Sequence, residues 1–224
     1  MNSLEQDERL RALLSRLHAQ SEAQIPAIMQ HYDQHGAGSL TGTAAEIEAG
    51  RDFWRDKLAA LDADKAAFCY RLCRALGARR VVEAGTSFGV STLYLAAALR
   101  DNGGGTVIAT EYEAEKAKIA RAHFAEAGLS DQIDLREGDL RETLKGLAGP
   151  IDLMLVDIWT PMVRPAVELV APHMRTGAVI IADNTAWYRD AYGDYFAFLA
   201  DPANGFTTQT LPFEGGLEMS VKTA

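Results

Sequence analysis

The stretch VVEAGTSFGVS, residues 81–91, carries the pattern that decides the fold. Its first residues form a short apolar run, typical of a buried strand, and Gly85 and Gly89 then allow the positive φ angles of a tight turn. The apolar spacing that follows predicts a helix over 90–100. A helix that begins at such a turn presents free N–H groups and a positive dipole end. The stretch therefore predicts either a plain strand–helix connection or a site for a carboxylate or phosphate.

Short apolar segments alternate with helical segments downstream of this turn. The predicted strands are 80–84, 106–110, 132–136, 151–157 and 177–182, and the predicted helices are 90–100, 114–127, 140–146, 163–173 and 190–200. Near-continuous apolar strands are typical of a parallel sheet that is covered on both faces. The last two predicted strands, 206–211 and 217–221, are joined without a helix and should pair antiparallel. The pattern predicts an α/β, Rossmann-like doubly wound sheet of seven strands that ends in an antiparallel pair.

The N-terminal part of the chain shows only helical patterns. Leucines recur at helical spacing in a helix predicted from residue 3 to about 35. The glycine-rich segment 36–42 is interpreted as a linker rather than a phosphate loop, because no strand precedes it and no lysine follows. Thr43 then begins another helix with a capping-box pattern. We expect residues 1–60 to form a helical extension, a lid or dimer contact, and residues 61–224 to form the main domain.

The next helix, which Asp62 or Asp64 caps, carries two cysteines. Cys69 and Cys73 lie four residues apart, which places them on one helix face. A metal or redox pair typically has a C-x-x-C spacing and further ligands, so we interpret both as small core residues. Free thiols of this kind indicate a reducing compartment, so the expected location is cytoplasmic.

Composition excludes several classes of function. The 224 residues carry a formal charge of −9, with 22 basic and 31 acidic side chains and no long basic run. Such a surface disfavours nucleic acid and anionic lipid as partners. Every long apolar stretch is interrupted by charge, so no membrane span is expected. The first residues are polar and acidic, unlike a secretory signal peptide.

An acidic residue after the second predicted strand makes the turn more specific. Glu111 lies 22 residues beyond Gly89, where a carboxylate can accept hydrogen bonds from both hydroxyls of a ribose. Enzymes that bind NAD share this layout, but their turn has the pattern G-x-G-x-x-G. Position 87 is serine here, and this spacing favours S-adenosylmethionine (SAM) over NAD. The predicted cofactor-binding residues in this region are Glu83, Gly85, Thr86, Ser87, Gly89, Ser91, Glu111 and Tyr112.

Two further residues have both a cofactor and a structural interpretation. Asp139 follows the third predicted strand, where it could approach an adenine amino group or cap the next helix, or do both. Trp159 follows the fourth strand and could stack on adenine or pack in the core. Both are included among the predicted cofactor-binding residues, together with Asp157.

Polar side chains also follow the fourth and fifth predicted strands. Asp157 comes after one strand, and Asp183 and Asn184 come after the next. Open α/β sheets bind ligands at the carboxyl ends of their strands, so these side chains should lie close together. Two carboxylates and one amide oxygen suit Mg²⁺. Asp183 and Asn184 alone would more often form an ordinary turn, and the pair with Asp157 at matched strand ends is more specific.

Together these motifs resemble the cation-dependent class I SAM O-methyltransferases, the group of the catechol and caffeoyl-CoA O-methyltransferases. The resemblance runs from about residue 60 to the end, on Glu83-x-Gly85-x-x-x-Gly89-x-Ser91, Glu111, Gly138-Asp139, Asp157-x-Trp159 and Asp183-Asn184. It implies methyl transfer from SAM to a hydroxyl of a small catechol-like or vicinal-diol acceptor, with Asp157 as a catalytic residue. It also implies Mg²⁺ or another divalent cation on Asp157, Asp183 and Asn184, and a homodimer.

One departure from the family pattern keeps alternatives open. Thr160 stands where the family often has a lysine that acts as general base, and the nearest basic residue downstream is Arg164. The missing lysine leaves a SAM-binding protein without catalysis as an alternative. Methyl transfer to a hydroxylated tRNA base is a second alternative, which the charge of −9 disfavours. An NAD oxidoreductase is the third.

Overall fold

A computed structural model describes residues 3–224, apart from the side chain of Ala44. Its helices are α1 Glu8–His35, α2 Gly38–Thr41, α3 Ala44–Trp54, α4 Ala63–Ala75, α5 Val90–Asp101, α6 Ala114–Ala127, α7 Leu140–Thr143, α8 Val163–Val170 and α9 Gly193–Ala200. Its strands are β1 Arg80–Ala84, β2 Thr106–Glu111, β3 Ile133–Glu137, β4 Ile151–Val156, β5 Met174–Asp183, β6 Phe206–Leu211 and β7 Leu217–Lys222.

The strands form one seven-stranded sheet in the order β3-β2-β1-β4-β5-β7-β6. The first five strands are parallel, and β7 pairs antiparallel with both β5 and β6. The order reverses between β1 and β4, which creates the crevice where open α/β sheets bind ligands. The predicted doubly wound fold with its antiparallel end is therefore confirmed.

Two apolar layers cover the two faces of the sheet. One includes Leu93, Leu95 and Leu99 of α5, with side chains from α1, α4 and α6. The other joins β4 and β5 to α7, α8 and α9. Leucines 10, 13, 14 and 17 of α1 belong to the first layer, so the start of the N-terminal extension shares a core with the sheet.

Element bounds differ from the predictions where a local interaction decides them. Helix α1 begins at Glu8 rather than residue 3, because the Asp7 side chain accepts a hydrogen bond from the amide of Leu10 at 3.1 Å. The predicted linker 36–42 contains one helical turn, α2. Thr43 forms the predicted capping box with Glu46. Within residues 3–224, no helix is both long enough and apolar enough to cross a membrane.

Candidate active site

The register of the parallel strands lines up the predicted site residues along one edge of the sheet. Ala84 of β1 is paired with Thr110 of β2 and with Val156 of β4, and Val156 is paired with Ala182 of β5. The next residue on each strand is therefore Glu111, Gly85, Asp157 or Asp183. Three carboxylates and the glycine turn thus follow each other across β2, β1, β4 and β5.

Glu83 organises the turn from inside the protein. Its side chain is fully buried and accepts hydrogen bonds from the hydroxyls of Thr86 at 2.9 Å, Ser91 at 2.7 Å and Thr92. Burial raises the pKa of Glu83 to about 7, the three hydroxyl groups oppose this shift, and the charge of Glu111 adds to it. Three of the predicted cofactor-binding residues, Glu83, Thr86 and Ser91, therefore contact one another. Thr92 was missed by the sequence analysis, although it directly follows the motif.

Both glycines of the turn are required by close contacts. Gly85 has a φ of +97°, and a Cβ atom at this position would lie 2.0 Å from the carbonyl oxygen of Asp157. Gly89 has a φ of +87°, and its Cβ would lie 2.4 Å from the ring of Phe124. Ser87 also adopts a positive φ of +48°. The backbone between β1 and α5 is therefore held close to β4, with no side chain between them.

Glu111 connects the turn to the end of β2. Its carboxylate accepts hydrogen bonds from the amide of Ser87 at 2.7 Å and from the amide of Glu113 at 2.8 Å. Burial raises the pKa of Glu111, while the Glu113 amide and Lys116 oppose the shift. A carboxylate offers about four acceptor positions, so two remain for hydroxyl donors.

The other predicted cofactor residues lie around this centre. Asp139 caps α7, accepting from the amide of Arg141 at 2.9 Å, and its carboxylate also forms an ion pair with the Arg141 guanidinium. Tyr112 is exposed, with the guanidinium of Arg51 4.8 Å from its ring centre. Trp159 is half-buried directly before the 3₁₀ turn Thr160–Met162. The capping interpretation of Asp139 is observed, and a role of these three residues in cofactor binding stays a prediction.

The predicted metal ligands lie where β4 and β5 end. Burial raises the pKa of Asp157, and the neighbouring charges of Asp183 and Glu83 raise it further. Asp183 is 5% exposed. Asn184 has a left-handed backbone with a φ of +57°, and its side-chain oxygen would lie 2.7 Å from a Cβ atom on Gly215. The amide of Asn184 thus packs against the turn between β6 and β7.

A lysine that the sequence analysis did not single out lies at the same place. Lys65, in the first turn of α4, is only 1% exposed. Its Nζ atom lies 2.8 Å from Oδ1 of Asp183 and 3.0 Å from Oδ2 of Asp62. Burial lowers the pKa of Lys65, but the carboxylates of Asp183 and Asp62 outweigh it, so the pKa lies above its usual value. The available signal was position, because Lys65 shares the buried face of α4 with Cys69 and Cys73.

This arrangement places an ammonium where the resemblance predicts a divalent cation. An ion bonded to Oδ1 of Asp183 at about 2.1 Å would lie within about 5 Å of the Lys65 ammonium. At an effective dielectric constant of about 20, that repulsion is about 7 kcal/mol, and it opposes the attraction of the ion to the carboxylates of Asp157, Asp183 and Asp62. Oδ1 of Asp183 is buried and has no hydrogen bond within residues 3–224, so its ion pair with Lys65 is the contact that a cation would have to replace. The metal ligation expected from the resemblance stays a prediction, and no step below depends on it.

The N-terminal helices contact the loops at this edge of the sheet. The hydroxyl of Tyr32, on α1, lies beside Tyr188, which follows β5, and this neighbour adds to the effect of burial in raising the pKa of Tyr32. Helix α2 packs on the 3₁₀ turn Thr160–Met162 after β4. On α3, Arg51 contacts Tyr112, which follows β2. These helices therefore lie over the carboxyl ends of three strands, and we call them the roof helices.

Comparisons with known proteins were made for sequence and for structure. A family model described as a methyltransferase domain matches residues 82–185. The chain is 35% identical over 126 residues to a catechol O-methyltransferase from Mycobacterium tuberculosis. That match covers 56% of this chain and 56% of the relative, and the chain spans about half the length of the curated relatives that it matches.

Solved structures share the fold over more of the chain. The cofactor-bound Rv0187 protein from MTB superposes with a TM-score of 0.69 at 26% identity, covering 85% of this chain and 95% of that one. The O-methyltransferase TomG from Streptomyces achromogenes, solved in complex with SAM, gives a TM-score of 0.68 at 25% identity. That match covers 79% of this chain and 87% of TomG.

Proposed function

We propose that the chain is a class I SAM-dependent O-methyltransferase, as its methyltransferase-domain match and its O-methyltransferase relatives support, and that it methylates a hydroxyl group of a small acceptor. The acceptor class that we favour is a catechol or another vicinal diol, which is the class named for one relative, a catechol O-methyltransferase.

The observation that carries this proposal is the contact between the glycine turn and Glu111. The amide of Ser87 donates to the Glu111 carboxylate at 2.7 Å, so the turn after β1 and the acid after β2 form one unit. A turn alone fits many nucleotide-binding proteins, and an acid at a strand end is common. Their direct contact, at the switch point of the sheet, provides a ribose acceptor beside a helix N-terminus.

The residues present fit SAM as the cofactor. The two remaining acceptor positions of Glu111 suit the ribose hydroxyls. Helix α5 begins after Gly89 without a side-chain cap, so the amides of its first turn suit a carboxylate such as that of the methionine moiety. The Ser91 hydroxyl donates its hydrogen bond to the Glu83 carboxylate, so the Ser91 oxygen can accept a hydrogen bond from a ligand ammonium group.

The role of this chain in the reaction is mainly positioning. When bound, SAM would supply a methyl group on a sulfonium; the acceptor oxygen would take the methyl carbon, sulfur would keep the electron pair of the broken bond, and the hydroxyl proton would pass to water. Asp157 lies between the turn and Asp183, so its carboxylate is placed to accept the hydrogen bond of the acceptor hydroxyl and orient its oxygen.

Three finer predictions belong to the same proposal. The divalent cation expected from the resemblance competes with Lys65 for the position beside Asp183, and the contacts favour Lys65. A homodimer and a cytoplasmic location are retained as proposals from the resemblance and from the free cysteines.

Binding and transfer can be tested separately. Isothermal titration should give one SAM site per chain and no NADH binding. A labelled-methyl assay should then transfer methyl to catechols, with little transfer to matched phenols that lack the second hydroxyl, and none to tRNA. SAM binding without transfer to any acceptor would leave a non-catalytic binding protein. NADH binding in place of SAM would refute the assignment altogether.

A further inference from the structure

The burial of Lys65 is costly, and a purely structural role does not account for it. Lysine is almost never fully buried unless it is paired, and desolvating an ammonium is costly. Here the side chain is 1% exposed, yet it ends between two carboxylates rather than reaching solvent. A salt bridge that served only to hold α4 could be made at the surface at much lower cost, as Arg164 and Glu168 do on α8.

The surroundings of Lys65 are those expected of a cation site. Its Nζ atom contacts Asp183 at 2.8 Å. The charge of Lys65 also lowers the pKa of Asp157, which ends β4 beside Asp183 at the end of β5. The third carboxylate comes from Asp62, which begins α4 but makes no side-chain cap to that helix. Its carboxylate pairs with Lys65 instead, so the usual capping role of Asp62 is replaced by this contact.

We propose that the Lys65 ammonium takes the place of a divalent cation in this site, and that it holds the acceptor oxygen from which methyl transfer occurs. This inference rests on the proposed function. An ammonium has three N–H donors, and the ion pairs with Asp62 and Asp183 involve two carboxylates, so at least one donor is available to the acceptor. Thr160 stands where the family often has its lysine, so the amine of this chain comes from a different element.

The ammonium acts by its charge and by its N–H donor, and it takes up no proton in the reaction. As the acceptor hydroxyl loses its proton to water and its oxygen bonds to the methyl carbon, Lys65 stabilises the negative charge that proton loss leaves on that oxygen. A preorganised donor of this kind needs no rearrangement at the moment when the charge develops. The reaction then requires no divalent metal.

The first test uses the unmodified chain. Overnight treatment with EDTA, followed by desalting, should leave the rate of methyl transfer within about twofold of its initial value, since no metal supplies the charge. Electron paramagnetic resonance should detect no Mn²⁺ bound to the full chain. Loss of activity on chelation with recovery on adding Mg²⁺ would overturn the inference, as would one tightly bound Mn²⁺ per chain.

The second test changes the charge at one position. Lys65→Met removes the ammonium and retains a chain of similar length, Lys65→Arg retains the charge, and Lys145→Met is the control on an exposed lysine. We expect Lys65→Met to lose about 100-fold in kcat, to keep its Kd for SAM within about threefold, and to bind Mn²⁺. Lys65→Arg and Lys145→Met should bind none.

The Mn²⁺ measurement also separates this inference from the proposed function. If the chain methylates no acceptor, the metal-binding contrast between the wild type and Lys65→Met still decides what occupies the site. Melting curves give a second readout for a destabilised variant, because Mn²⁺ should raise the Tm of Lys65→Met and leave that of the wild type unchanged. If Lys65→Met binds no Mn²⁺, the ammonium does not hold the cation position and the inference fails.

Discussion

Replacing Glu83 by glutamine should change how the stability of the chain depends on pH. The buried Glu83 carboxyl has its pKa raised from 4.5 to about 7. Between these two values the folded chain binds more protons than the unfolded chain, so stability falls as the pH rises through this window. Below pH 4.5 the group is protonated in both states, and above pH 7 it is ionised in both, so neither limit adds a further change.

The size of the effect follows from the shift. A group that titrates at 4.5 in the unfolded chain and at about 7 in the folded chain costs the folded state about 0.8 kcal/mol at pH 5 and about 3.3 kcal/mol at pH 8. The wild type should therefore lose about 2.5 kcal/mol of unfolding free energy over this range through Glu83. Glu83→Gln cannot ionise, so this loss should be absent in the variant.

Urea unfolding at half-unit steps from pH 5 to pH 9 measures the effect. The relevant quantity is the difference between wild type and Glu83→Gln, because Glu111, Asp157 and Cys69, whose charges interact with Glu83, remain in both chains. A difference that stays constant within about 0.5 kcal/mol across the range would refute the reasoning. Thr92→Val provides a check: it removes a donor that lowers the pKa of Glu83, so the midpoint should move to higher pH.

Three further predictions concern the glycine turn, the core and the carboxylate of Asp152. Gly85→Ala should abolish SAM binding in titration calorimetry, because its Cβ would lie 2.0 Å from the carbonyl oxygen of Asp157. Gly128→Ala is its control, since it also has a positive φ but open space, and should cost only about 1 kcal/mol with SAM binding unchanged. Leu10→Ala should lower the unfolding free energy by about 2–5 kcal/mol in urea, as a core truncation does; a surface-like value below about 0.5 kcal/mol would contradict the shared core. Asp152→Asn should destabilise the chain by about 2 kcal/mol, because its carboxylate holds two backbone amides and Arg175, and an unchanged Tm would contradict this.

The fold and the line of acidic residues at the sheet edge could be predicted, because both follow from the alternation of apolar strand and helix patterns. Strand and helix alternation fixes a parallel sheet, and a parallel sheet brings the carboxyl ends of its strands to one edge. Residues at the ends of predicted strands, such as Glu111, Asp157 and Asp183, therefore had to lie near one another. Their spacing along the chain was sufficient, and no knowledge of side-chain directions was needed.

What could not be predicted depends on contacts between distant elements. Lys65 lies on a helix that precedes the sheet, and only packing brings its amine to Asp183. Ser91 could be assigned as a hydroxyl donor, but its choice of Glu83 depends on how α5 meets β1. Asp139 had two compatible interpretations, and the helix cap is a local contact that sequence alone could not rank above a ligand contact.

The length of α1 has a mechanical consequence for access to the site. The helix has 28 residues, with its leucines in the core at one end and Tyr32 against Tyr188 near the other. Pro26 lies between these two parts and has no amide hydrogen, so the carbonyl of Glu22 lacks its helical partner. The helix beyond Pro26 extends about 14 Å, so a bend of about 10° there displaces its end by about 2 Å. At Tyr32, six residues beyond Pro26, the same bend moves the helix by about 1.6 Å, which shifts this side chain relative to Tyr188 while every leucine of α1 stays in place.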